Sequence, residues 1–151
     1  MTTKASNAET TTPEKQILHL LSSHGIQPTQ QRRAIAMILF ARHQHLTADQ
    51  LFEQVNAKKV TMSRATVYNN LGLFVEKGLL TEIHLDPERV FYDTNTGLHH
   101  HIYNLDTGEF LDVTLDALAP LIPAGLAPKG TQIEEVSIVI KVRNKTTGLL
   151  Q

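Results

Sequence analysis

The sequence predicts an α+β protein in which a winged helix-turn-helix domain precedes a small α/β domain. Two observations carry this prediction. Apolar residues recur at three- and four-residue spacing in four stretches before Gly78, and the period switches to two just after it. A second alternating region begins near His101 and ends near Arg143.

Pro13 to His24 carries Ile17, Leu18, Leu20 and Leu21 at helical spacing, and Gly25 follows as a C-terminal cap. Pro28 opens a second helix whose apolar positions are Ala34, Ile35, Ile38 and Leu39. Thr47 caps a third, with Gln50 as its capping-box partner and Leu51, Phe52 and Val55 as the buried stripe. Ser63 or a neighbour caps a fourth, whose inner face is Val67, Leu71, Phe74 and Val75 and which stops at Gly78. Leu80 to Leu85 and Arg89 to Asp93 then read as a hairpin around the turn pair Asp86-Pro87. Another hairpin is expected at His101 to Leu105 and Glu109 to Val113, turning at Asp106-Thr107-Gly108. A short helix over Leu115 to Leu121 and a strand over Glu135 to Arg143 complete the chain. The expected organisation is a disordered tail over residues 1–12, a winged helix over 13–94, and a second domain over 95–151. So few elements bury a poor core in that second domain, and a homodimer sharing its sheet is the natural remedy.

Composition narrows the chemistry. The 151 residues are 41% hydrophobic and 19% charged, which suits a folded chain. The longest uncharged apolar run, Ala34 to Ala41, is too short to span a bilayer, and the polar start shows no signal-peptide pattern. The reading is a cytoplasmic protein with no membrane partner. Cysteine is absent, which excludes disulfides, thiol catalysis, iron–sulfur clusters and thiolate zinc sites. Charge is uneven: Lys15 to Lys77 holds eight basic and three acidic residues, a balance of +5, whereas four basic and six acidic residues from Asn95 onward give −2. A basic first half suits a polyanion.

Two constellations carry function. With Val67, Leu71 and Phe74 turned inward, Ser63, Arg64, Thr66, Tyr68 and Asn69 lie on the outer side of the fourth helix near its start, where a recognition helix makes its contacts. Arg bonds guanine, Asn bonds adenine, and hydroxyls take phosphates. The other constellation is His99-His100-His101. In a strand His99 and His101 share a face while His100 points away. Imidazole suits iron and zinc, and carboxylates such as Asp93 and Asp112 shift the preference toward iron or manganese. A small metalloenzyme would need more: the chain has no H-E-x-x-H motif and no surplus carboxylate beside the His run, so no enzymatic activity is expected.

Four ordered motifs add a resemblance. Gly25-Ile-Gln-Pro-Thr-Gln-Gln-Arg32, His45-Leu-Thr-Ala48, Ala65-Thr-Val-Tyr68 and Gly78-Leu-Leu80 resemble the ferric uptake regulator family in order and spacing. The resemblance implies a dimeric winged-helix regulator that binds double-stranded operator DNA, as a homodimer or a pair of dimers. Arg32, Ser63, Arg64, Thr66, Tyr68 and Asn69 are its implied DNA-binding residues. It also implies a regulatory metal site at His45, Asp93, His99, His101 and Asp112, for ferrous iron or manganese. Such a site would fix the angle between the domains.

The chain departs from the family pattern twice. Asn69 stands where the family often has Arg. Asn104 and Thr107 stand where the family's first structural-zinc cysteines fall, so no four-cysteine zinc site is expected. Both the recognition-helix sequence and the triple His look like the family's iron response regulator branch. That likeness implies heme at His99, His100 and His101, release of DNA on heme binding, and control of iron homeostasis and heme synthesis genes. Two alternatives within the same class are a repressor that binds DNA only when loaded with ferrous iron or manganese, and a peroxide sensor in which bound iron oxidises its own ligands.

Overall fold

A computed structural model describes residues 11–146. The tail expected over residues 1–12 therefore lies almost wholly outside them. The chain forms two compact units, the first ending at Thr96 and the second beginning at Gly97.

The first unit holds α1 (Pro13–Ser23), α2 (Gln30–Leu39), β1 (His45–Leu46), α3 (Ala48–Ala57), α4 (Arg64–Glu76), β2 (Thr81–Asp86) and β3 (Arg89–Asp93). Each helix start has a side-chain cap, from Thr12, Thr29, Thr47 and Ser63, and Thr47 with Gln50 forms the full capping box. Pro28 does not open α2. The Thr29 hydroxyl accepts the Arg32 N–H, which makes Thr29 the cap and leaves Pro28 outside the helix. Both α1 and α4 end on a glycine in the left-handed region, Gly25 at φ 70° and Gly78 at φ 81°. After α4 the Leu79 N–H reaches back to the Phe74 carbonyl at 2.8 Å and the Gly78 N–H to Val75 at 3.0 Å, a closure that favours glycine.

Leu21, Ile35, Leu39, Leu51, Val55, Val67, Leu71 and Phe74 form the centre of the core and are fully buried. The sheet runs β1-β3-β2, antiparallel throughout. The alternation in Leu80 to Leu85 is realised one residue later, at Thr81–Asp86, with Ile83 and Leu85 inward. β1 is only two residues long, too short to leave a periodic signal in the sequence.

The second unit holds β4 (His100–Asn104), β5 (Phe110–Val113), α5 (Leu115–Leu118) and β6 (Val139–Val142). A 3-10 turn over Ala119–Leu121 follows α5, because Pro120 cannot continue an α-helix. The sheet order is β5-β4-β6, with β4 antiparallel to β5 and parallel to β6. The long strand expected over Glu135 to Arg143 is shorter in the structure: only Val139–Val142 pairs with β4. Among its described residues, Tyr103, His100 and His101 are buried, whereas Leu98, Leu111, Leu121, Leu126 and Ile133 are exposed. No helix among the described residues is long and apolar enough to cross a membrane.

Candidate nucleic-acid interface and metal centre

The sequence-predicted DNA residues gather on α4 and the start of α2. Ser63 and Thr66 are partly occupied by the helix start: the Ser63 hydroxyl accepts the Thr66 N–H at 3.1 Å and lies 3.0 Å from the Thr66 hydroxyl. Arg64 is exposed but anchored, because its guanidinium pairs with Asp49 and sits 4.5 Å over the Phe52 ring. It therefore ties the start of α4 to α3. Tyr68 is 51% exposed although it is a large aromatic, and Asn69 beside it is exposed as well. Among the described residues neither side chain makes a hydrogen bond or ion pair, which suits groups that face a partner.

Arg32 is placed differently from the others. It is half-buried, and its Nε donates to the Asn70 Oδ1 at 3.1 Å while Nη1 donates to the Gln27 carbonyl at 3.1 Å. Asn70 was not among the sequence-predicted residues. Its signal was available: positions 67, 70, 71 and 74 form one helix face, and Asn70 is the polar member of an otherwise apolar stripe. The two helices enclose an open hollow of 710 Å³ lined by Arg32, Thr66, Tyr68, Asn69 and Asn70 among others.

The wing follows from β2 and β3. Asp86 closes its tip by accepting the Glu88 and Arg89 N–H groups and pairing with the Arg89 guanidinium at 2.7 Å. The Arg89 hydrogen bond holds the Asp86 carboxyl below its ordinary value. Burial, with Glu82 and Tyr68 nearby, pushes the Tyr92 hydroxyl up.

The sequence-predicted metal ligands fall into two sets, one in each unit. His45 and Asp93 are register partners across β1 and β3, with Nε2 and Oδ2 3.3 Å apart. The segment before β1 fixes this register. The Gln44 side-chain amide donates to the Ile38 and Leu39 carbonyls at the end of α2, and the Gln44 N–H donates to the Thr94 hydroxyl. Asp93 is 1% exposed, and its Oδ1 accepts the Asn95 N–H at 2.8 Å.

The second set is built the same way. His101 and Asp112 are register partners across β4 and β5. Asp112 Oδ1 lies 3.8 Å from His101 Nε2 and 3.5 Å from His99 Nε2. The two imidazoles lie edge to face, 4.4 Å apart. His99 Nδ1 donates to the Gly97 carbonyl at 2.5 Å, which leaves Nε2 facing Asp112. His100 is separate from this pair: it is buried, and its Nδ1 accepts the Ile138 N–H at 3.3 Å. Two imidazole nitrogens and a carboxylate at these separations match the donor chemistry of a divalent first-row metal.

No thiol holds the far end of the second unit together. A polar clasp stands there. Asn104 Oδ1 accepts the Asp106 and Thr107 N–H groups, and Asn104 Nδ2 donates to the Asn144 Oδ1 at 2.9 Å. Asp106 takes the Arg143 guanidinium at 2.7 Å and the Asn144 N–H at 2.8 Å. The β4–β5 turn is thereby fastened to the segment after β6.

Comparison with known proteins agrees with this architecture. The sequence profile of the Ferric uptake regulator family matches residues 23–141. The chain is 35% identical over 92 residues to the peroxide-responsive repressor PerR of Staphylococcus epidermidis, a match covering 61% of each chain. It is 32% identical over 109 residues to the same-named protein of Staphylococcus saprophyticus, covering 70% of this chain and 74% of that one. Among solved structures, the ferric uptake regulator of Francisella tularensis with iron superposes with a TM-score of 0.71 at 26% identity, over 80% of this chain and 93% of that one. The chain belongs to the ferric uptake regulator family.

Proposed function

We propose that the chain is a metal-responsive, DNA-binding transcription regulator, with ferrous iron or manganese held by His45, Asp93, His99, His101 and Asp112. The observation that carries this reading is the matched build of the two sets, a cross-strand His–Asp pair in each unit, with His99 added in the second. His45 and Asp93 belong to the unit that carries the recognition helix. Gathering both sets around one cation would therefore fix the spacing of two recognition helices in a dimer, which makes DNA affinity depend on the metal. His45, Asp93, His99, His101 and Asp112 would hold the cation, whose positive charge would offset the two carboxylates. The protein supplies the His99 Nδ1 bond to the Gly97 carbonyl and a strand pair beneath each His–Asp set.

DNA contact falls to Tyr68 and Asn69, with Arg32 beside them and Arg64 anchoring the helix. A homodimer would cover the exposed leucines and Ile133 of the second unit.

Heme at His99–His101, with membership of the iron response regulator branch, is the weaker reading. The relatives above are named for peroxide and for iron, and His100 faces away with its Nδ1 bonded to the backbone. The relatives named as peroxide-responsive repressors favour a second reading within the first. Iron held at this site would let hydrogen peroxide, as two-electron oxidant, give one oxygen atom to a ligand imidazole while its other oxygen leaves as water. Peptide mass spectrometry would then find +16 on the fragment carrying His45 or His99 after peroxide treatment of the iron-loaded protein; unmodified histidines with DNA binding intact would sink that variant.

The test of the main reading is fluorescence anisotropy with a duplex enriched by the protein from a random library, selected both with and without metal. Tighter binding with Mn2+ or anaerobic Fe2+ supports the reading. Affinity unchanged by either metal, but weakened by stoichiometric heme, would favour the heme reading instead.

A further inference from the structure

Asn70 is a buried amide on the apolar stripe of α4, between Val67 and Phe74. A polar group in that position needs partners, and both ends of the amide have one. Nδ2 donates to the Thr66 carbonyl at 2.8 Å. A carbonyl only accepts, so this bond fixes the flip of the amide and turns Oδ1 toward Arg32 as an acceptor.

The consequence lies at Arg32. Its guanidinium is held at two points from two different elements, by Asn70 of α4 at 3.1 Å and by the Gln27 carbonyl ahead of α2 at 3.1 Å. Two holds fix the plane of a rigid fork with five N–H donors, and the remaining three stay available to an anion. Arg32 also lines the hollow that Thr66, Tyr68 and Asn69 line from the recognition helix. The start of α2 borders it through Thr29 and Gln31, and a helix start favours negative charge.

Building on the DNA-binding reading above, we propose that Asn70 is a positioning residue, which presents the Arg32 fork to one backbone phosphate of DNA beside the bases read by Tyr68 and Asn69. Asn70 itself carries no charge and touches no DNA. Arg32 supplies the contact and Asn70 its direction.

The salt dependence of DNA affinity tests this, because each phosphate contact adds a slope of about 0.9 in log K against log salt on duplex DNA. The metal-loaded wild type is compared with Arg32→Ala, Asn70→Ala and the double variant on the enriched duplex. Arg32→Ala is expected to flatten the slope by about one contact. Asn70→Ala is expected to flatten it by the same amount although it removes no charge, and the double variant by no more than either. Asn70→Leu, which refills the apolar stripe, gives the same readout if Asn70→Ala does not fold. Asn70 variants that keep the full slope while Arg32→Ala loses it would overturn the positioning role, and so would an unchanged slope in Arg32→Ala. Tyr68→Ala, run alongside, separates the two ideas: if it weakens binding while the Asn70 variants keep the slope, the DNA-binding reading stands without Asn70. A wild type that retains no duplex at all ends both.

Discussion

His101 and Asp112 stand opposite each other in the antiparallel pair β4–β5, with Nε2 and Oδ1 3.8 Å apart. Directly opposed residues in a sheet have their Cβ atoms about 5 Å apart, so backbone pairing alone brings an imidazole and a carboxylate together. His45 and Asp93 repeat the relationship across β1 and β3. His101→Ala or Asp112→Asn should therefore weaken Mn2+ binding, measured by titration calorimetry, by more than the roughly 10-fold that losing an outer partner of a ligand costs. His100→Ala should leave the affinity within about twofold while lowering stability, because its Nδ1 serves the Ile138 N–H. Equal losses for His100 and His101 would contradict this division.

Tyr68 and Asn69 should behave as DNA residues and nothing else. Replacing either with Ala is expected to cost about 1–3 kcal/mol of DNA affinity, the scale of a base contact, with the melting temperature unchanged. Arg64→Ala should lower both, since Arg64 also holds Asp49 and covers Phe52. Melting curves beside anisotropy separate the two behaviours, and a large stability loss in Tyr68→Ala would refute the assignment.

Phe74 anchors the first unit's core, fully buried and 6.4 Å from the Phe40 ring. Phe74→Ala should cost about 3–5 kcal/mol by urea denaturation. A cost near 1 kcal/mol would mean that the core closes around the gap.

The clasp of Asn104, Asp106, Arg143 and Asn144 fastens the β4–β5 turn of the second unit to the segment after β6. Chelation by EDTA should leave its β4–β5 amides protected in hydrogen exchange, whereas Asn104→Ala should expose the Asp106 and Thr107 amides. Unfolding of this unit by EDTA would contradict the account.

Asp86 gives the pH prediction. Its carboxyl is depressed in the folded chain by Arg89, so its contribution to the wing tip is present above the unfolded value of about 3.8 and lost as pH falls through the lowered folded value. An NMR titration should place its midpoint below 3.8, and Arg89→Ala should raise it.

Much of this was legible in the chain because helices announce themselves through period and caps. Thr47, Gln50, Ser63 and Gly78 mark their boundaries by local chemistry, and local chemistry is what a sequence displays. β1 escaped because two residues have no period, and its place depends on Gln44 and Thr94, fifty positions apart. The His run, Asp93 and Asp112 stand out as candidate ligands from residue chemistry, whereas His45 joins them only through family resemblance. Spacing brought out the shared face of His99 and His101 but could not show that Asp112 lies across the sheet from His101. The sequence marks Arg32 as a DNA-binding residue, but its hold on Asn70 is hidden there because that bond joins two helices 38 residues apart. The clasp was equally hidden, since nothing local links Asp106 to Arg143.

The central claim is that ligands from both units serve one ion that sets DNA affinity. Equilibrium dialysis of Mn2+ against the wild type, His45→Ala and His101→Ala, with DNA affinity measured on the same samples, tests it most directly. The account predicts one tight ion per chain in the wild type, with both tight binding and the metal-dependent gain in DNA affinity lost in either variant. Two independent ions, or a His45→Ala protein that still binds Mn2+ tightly and still responds to it on DNA, would contradict it.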